Sequence, residues 1–216
     1  MKNLILVNFK DYKEASFNNG LRLAKICDFV AKKCKKEIWI AVEAPDIYNI
    51  SKNVKLKVLA QHIDPVEAKR NTGYIEARDV KLNGAYGTLL NHSEHKLKFK
   101  DLKNAVRMAR KARLKVVICA ARPNEVNKVK KLKPDYIAVE PPELIAGNIA
   151  VSQAKPQVIT NSVKLTKIKV LCGAGIKNEN DVKKSIELGA RGILVSSGIV
   201  LSKNPRRVLT KMANVI

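Results

Sequence analysis

Tyr136-Ile-Ala-Val-Glu-Pro-Pro-Glu-Leu-Ile145 is the stretch on which the reading turns. Four strand-forming, mostly apolar residues run directly into a carboxylate, Glu140, and two prolines then stop the strand and stiffen the turn. A charge at the end of a buried strand is costly unless it is paired or has chemistry to perform. Glu140 is therefore the first candidate for a functional group, and the remainder of the chain reads as a frame that faces it.

Outward from this strand, similar short apolar runs recur. Together with 136–140 they cover 4–9, 38–42, 58–61, 86–90, 116–119, 170–172 and 193–195, eight runs in 216 residues, a pitch of about 27. Segments of helical character lie between them, at 17–35, 46–52, 77–82, 101–112, 124–132, 153–165, 179–188 and 205–214. In 101–112, Leu102, Ala105, Val106, Ala109 and Ala112 fall on one helical face. The strands are apolar at both parities, as when helices cover one side and a packed interior the other. Strict βα alternation in eight units predicts an α/β fold, a (β/α)8 TIM barrel forming a single domain over 1–216, rather than an open sheet. The longest aperiodic segment outside the loop after Glu140 is 62–75, a length suited to an oligomer contact.

Composition narrows the class. Hydrophobic residues make up 46% of the chain, which argues against disorder, and no apolar run nears the ~20 residues of a membrane span. The N-terminus has no signal-peptide pattern, so a cytoplasmic location is expected. Cys27, Cys34, Cys119 and Cys172 are scattered without a CxxC pair, which reads as buried free thiols. The net charge of +23 raises nucleic-acid binding, but Lys and Arg are spread over nearly every helical segment and aromatics are only 5%. A solvated basic surface without a dedicated nucleic-acid partner is the reading taken.

In a barrel the site lies at the C-terminal ends of the strands. Asn8 and Lys10 follow the first strand on one side, suited to a phosphate ester or an enolate oxygen. His92 follows the fourth strand, with Ser93 and Glu94 read as the first turn of a short helix. A helix N-terminus there would keep the imidazole neutral and able to donate to a carbonyl. His95 reads as a surface residue of the same turn, His62 as structural, and Glu43 as paired or solvated. Cys172-Gly-Ala-Gly-Ile176 and Val195-Ser-Ser-Gly198 bring small residues after strands seven and eight, where backbone N–H groups approach an anion.

Taken together, Asn8-Phe-Lys10, Gln61-His-Ile-Asp-Pro65, Gly87-Thr-Leu-Leu-Asn-His-Ser-Glu94, Ala138-Val-Glu-Pro-Pro-Glu-Leu-Ile145, Cys172-Gly-Ala-Gly-Ile176 and Ser197-Gly198 resemble the archaeal type of the triosephosphate isomerase family, along the whole chain and in the same order. The resemblance implies interconversion of dihydroxyacetone phosphate and D-glyceraldehyde 3-phosphate through an enediolate, with no metal or organic cofactor. It implies Glu140, His92 and Lys10 as catalytic residues. It implies Asn8, Phe9, Lys10, Ile145, Gly173, Gly175, Ser196 and Ser197 as substrate-binding positions, and Glu94 as a supporting carboxylate behind the site. It also implies a homo-oligomer, with a tetramer favoured over a dimer. The chain departs from the family pattern at Ala146, Gly147, Asn148 and Ala150 of the lid tip, at Ser196, and at 67–71 of the assembly loop. Glycine-rich turns also suit other sugar-phosphate barrels, but His92 with Glu140 in these contexts does not favour them.

Overall fold

The computed structural model describes residues 3–144 and 150–216. In chain order the elements are β1 (Leu4–Asn8), α1 (Phe17–Cys34), β2 (Glu37–Val42), α2 (Ile47–Asn53), β3 (Lys57–Ala60), α3 (Ala77–Leu82), β4 (Gly87–Leu90), α4 (Phe99–Lys111) and β5 (Lys115–Ala120). There follow α5 (Pro123–Val129), β6 (Tyr136–Val139), α6 (Val151–Ala154), α7 (Pro156–Lys164), β7 (Lys169–Gly173), α8 (Glu179–Glu187), β8 (Gly192–Val195), α9 (Ser197–Val200) and α10 (Pro205–Asn214). Each strand pairs in parallel with the next, and β8 returns to β1, so the sheet is a closed barrel. All eight sequence-predicted strands are present.

Alternation along each strand divides the core. Leu4, Leu6, Trp39, Ala41, Leu59, Leu89, Val117, Cys119, Tyr136, Ala138, Leu171 and Leu194 form one cluster, which fills the barrel. Ile5, Val7, Ile38, Ile40, Ile118, Ile137 and Ile193 belong to a second cluster shared with the helices. Helix α4 buries Leu102, Ala105, Val106 and Ala109, the face its spacing predicts.

Two expectations need correction. The predicted helix 153–165 is two helices, α6 and α7, because Lys155 takes φ −141° ahead of Pro156, whose ring cannot continue a helix. Residues 93–95 form a turn, and the next helix starts only at Phe99. His92 therefore does not sit at a helix N-terminus.

Barrel closure at the β8–β1 seam depends on a missing side chain. Gly192 pairs with Leu4 at φ 147°, and a Cβ there would lie 2.0 Å from the Leu4 carbonyl oxygen. Only glycine tolerates both the φ and the contact. Gly192→Ala is expected to lower the chemical-denaturation midpoint, with at least about 1–3 kcal/mol of backbone strain lost from stability. An unchanged midpoint would show that the seam relaxes without cost.

Candidate active site

The C-terminal strand ends bring the predicted groups to one mouth. Asn8, Lys10, His92, Glu140, Gly175, Ser196 and Ser197 line a single cavity. Asn8 is buried at the end of β1, and its side-chain oxygen accepts the Lys10 backbone N–H at 3.1 Å. Lys10 then turns back with φ 50°, a left-handed conformation that costs a non-glycine residue energy. Gln61 holds that turn: its amide donates to the Lys10 carbonyl at 3.0 Å and approaches the Ala41 carbonyl at 3.4 Å. The Lys10 ammonium reaches Glu94 Oε1 at 2.5 Å.

His92 is positioned from β4. Asn91, at φ 61°, clamps the strand end to its neighbour by donating to the Cys119 carbonyl at 2.9 Å, while its side-chain oxygen accepts the Leu97 N–H at 3.1 Å. The Glu94 backbone N–H donates to His92 Nδ1 at 3.3 Å. A ring nitrogen that accepts carries no proton, so this contact leaves Nε2 as the nitrogen that donates. Nε2 in turn lies 3.5 Å from Glu140 Oε2. His92 is thus oriented by one backbone amide and not by a helix N-terminus.

Glu140 continues the β6 ladder through its N–H to the Ala120 carbonyl at 2.9 Å, which fixes where its side chain emerges. That side chain is buried, and Oε2 makes no hydrogen bond to the described residues. Burial raises its pKa above the ordinary carboxylate value, while His92, the Cys119 thiol and Lys10 pull it down. The thiol hydrogen-bonds the carboxylate, and burial together with that charge pushes the Cys119 pKa well up, so it stays a protonated donor. An orphan acceptor in a polar mouth is a group prepared for a proton that the resting protein does not supply.

The other predicted positions fall as follows. Gly173 makes room for the base: a Cβ there would lie 2.5 Å from Glu140 Cγ and 2.9 Å from Oε1. Phe9 is fully buried among the strands and helices, so its side chain does not reach the mouth. Ala174 and Gly175 both have positive φ, at 75° and 72°. Ser196 has a buried hydroxyl with no hydrogen bond to the described residues, and Ser197 opens α9. Ile145 and the lid-tip positions Ala146, Gly147 and Asn148 lie outside the described residues. Ala150 is buried and caps α6. His62 is buried beside Asp64 at 3.3 Å and stacks on His95 at 3.9 Å between centroids, consistent with a structural part. Glu43 accepts the Ser16 hydroxyl at 2.9 Å. Gln61, Asn91 and Cys119 carry supporting contacts that reading the sequence did not single out. A polar residue directly after an apolar run was the available signal for the first two.

Comparison with known proteins places the chain in a family. A family model described as triosephosphate isomerase matches residues 3–215. The triosephosphate isomerase of Methanothermus fervidus is 40% identical over 214 residues, spanning 97% of this chain and 96% of its own. That of Methanocaldococcus jannaschii is 39% identical over 218 residues, spanning 99% and 100%. A crystal structure of triosephosphate isomerase from Bartonella henselae has the same fold, with a TM-score of 0.77 at 18% identity over 100% of this chain and 99% of that one.

Gly173→Ala tests the tight seat of Glu140. The added methyl should swing the carboxylate away from His92, and a misplacement of about 1 Å lowers turnover roughly 10²-fold with the circular dichroism spectrum unchanged. Full turnover in that variant would mean that the seat is not needed.

Proposed function

The chain belongs to the triosephosphate isomerase family and interconverts dihydroxyacetone phosphate and D-glyceraldehyde 3-phosphate; on that premise we propose that Glu140 is the base that moves the proton between the two carbons. What carries the reading is the buried, unbonded Oε2 of Glu140 facing a donor-bearing His92 Nε2 at 3.5 Å. Removing a proton next to a carbonyl needs a carboxylate at carbon and a donor at oxygen at the same time. Glu140 takes the proton from one carbon and returns it to the next. His92 Nε2–H polarises the carbonyl and steadies the negative oxygen of the enediolate. The Lys10 ammonium adds a full charge to that stabilisation, and Glu94 holds it at the mouth. Asn8 fixes the turn that presents Lys10. Backbone N–H groups at Gly175, Ser196 and Ser197, with Ile145, take the phosphate. Residues 1–216 act as one catalytic barrel.

We propose further that the chain self-associates, as a tetramer by the resemblance. The exposed ring of Tyr74 gives the segment 62–75 apolar surface to bury. Light scattering is expected to give about 96 kDa, four times the 24.0 kDa chain, and a 24.0 kDa particle would remove the proposal. No helix among the described residues is long and apolar enough to cross a membrane; a cytoplasmic location is part of the same proposal.

The direct test is a coupled assay with glyceraldehyde 3-phosphate. Glu140→Gln should lose roughly 10²–10⁴-fold in kcat, the span of a positioned general base. Wild-type turnover in that variant would remove Glu140 from the mechanism.

The pH dependence has a definite sign. The base acts as carboxylate, so kcat/KM should fall as pH drops through the raised Glu140 pKa. A carboxyl whose pKa is raised by folding binds its proton more tightly folded than unfolded. Its effect on stability is therefore nil below the unfolded value and increasingly unfavourable as pH rises to the folded value. Glu140→Gln should gain stability over wild type across that window and stay ahead above it. Thermal unfolding at several pH values checks this; a variant that is less stable at neutral pH would contradict it.

A further inference from the structure

The opposite, N-terminal mouth of the barrel holds a second cluster of charge, and the isomerase mechanism uses none of it. A cavity of about 330 Å³ opens there, and every residue that lines it lies in the first half of a strand or just before one. Lysines come from the odd strands: Lys57, Lys115 and Lys169 open β3, β5 and β7. Aromatic rings come from the even ones: Trp39 in β2, Tyr86 before β4 and Tyr136 opening β6. This is the alternating-layer rule of barrel interiors, here applied to cations and rings. Strand register sets Trp39 beside Lys57 and Tyr136 beside Lys169.

The rings hold the ammoniums in place. Trp39 meets Tyr86 and Tyr136 edge to face, with centroids 5.1 and 5.4 Å apart. The Lys57 ammonium stands 5.1 Å from the Trp39 ring and 5.0 Å from the Tyr86 ring, and Lys169 stands 5.2 Å from Tyr136. Two carboxylates share the mouth: Glu37 with Lys57 at 2.5 Å and Asp135 with Lys115 at 2.7 Å. Among the described lining residues, three ammoniums stand against two carboxylates, one positive charge in excess. Lys169 is the ammonium that rests on a ring rather than a carboxylate.

From these contacts we infer that the N-terminal mouth is a second, non-catalytic binding site, for a small phosphate oxyanion seated among Lys57, Lys115 and Lys169. A cationic ligand is disfavoured, because the protein's own lysines already stand over the rings that would receive it. A flat heterocycle is disfavoured for the same reason. A tetrahedral oxyanion needs only donors from several directions, which three ammoniums on different strands supply. Lys57 and Lys115 are half-exposed and stay shared with Glu37 and Asp135, so binding is weak and salt-sensitive, with Kd on the order of 1 mM. Occupancy ties three strand starts together at the end of the barrel remote from Glu140, and so acts on stability rather than turnover.

Trp39 is the only tryptophan of the chain and lines this cavity, so its fluorescence reports on the site directly. The experiment titrates the whole protein with inorganic phosphate against potassium chloride at matched ionic strength. It uses wild type, Lys169→Met, and Lys10→Met, which weakens phosphate binding at the catalytic mouth. A saturable phosphate-specific change is expected in wild type and in Lys10→Met. In Lys169→Met the Kd should rise about tenfold or more, the phosphate-dependent gain in Tm should shrink, and isomerase kcat/KM should match wild type. Three results would overturn the inference. These are an equal change with chloride, no change with phosphate, and a response that survives Lys169→Met but vanishes in Lys10→Met, which would place all phosphate binding at the catalytic mouth.

Discussion

A carboxylate held out of water without a hydrogen-bond donor on one of its oxygens is the constraint around which this barrel is built. Leaving such a group buried costs several kcal/mol unless nearby charge or protonation relieves it. Relief for Glu140 comes from three directions, through His92, the Cys119 thiol and Lys10, and it is incomplete: burial still outweighs them. The result is a base stronger than an exposed glutamate, which is what removal of a weakly acidic carbon-bound proton requires. The surrounding features are consequences. Gly173 lacks a side chain because Glu140 occupies that space. Lys10 tolerates a left-handed backbone because Asn8 and Gln61 hold it there. His92 presents an N–H to the carboxylate because the Glu94 amide occupies its other nitrogen.

The two ends of the barrel solve the same problem differently. Parallel strands in a closed sheet put all their starts at one mouth and all their ends at the other. At the C-terminal end, long loops carry polar groups that remain partly unsatisfied, and chemistry follows. At the N-terminal end the connections are short and the charges arise on the strands themselves. There Glu37 and Asp135 pair with lysines, and rings cover what remains. The first arrangement exchanges stability for reactivity, the second closes the barrel.

Much of this was legible in the residues. The recurrence of apolar runs fixes the strand count, because a parallel strand buried on both faces has no polar parity to obscure it. Glu140 stood out because a strand that ends in a charge and two prolines has few structural explanations. Lys10 and His92 were each ambiguous alone and became informative only as parts of one mouth. Other features were hidden for a physical reason. The orientation of the His92 ring depends on where one amide of a turn points, and its neighbours in sequence suggested a helix that does not form. Pro156 did signal the break between α6 and α7, but the apolar spacing on either side ran through it. Gly173 was read as a position that binds substrate, whereas its visible part is to leave space, which no spacing rule encodes. Lys57 and Lys169 looked like ordinary solvated lysines; only the register of neighbouring strands sets them over aromatic rings.

The central claim is that burial keeps Glu140 a poised base in the resting protein. Carbon-13 NMR titration of the labelled Glu140 carboxyl, assigned by comparison with Glu140→Gln, measures this directly. The account predicts a midpoint above the ordinary carboxylate value of about 4.3, moving further up when Lys10 is replaced by Met and one of its stabilising charges is lost. A midpoint at or below the ordinary value, unmoved by that replacement, would contradict it.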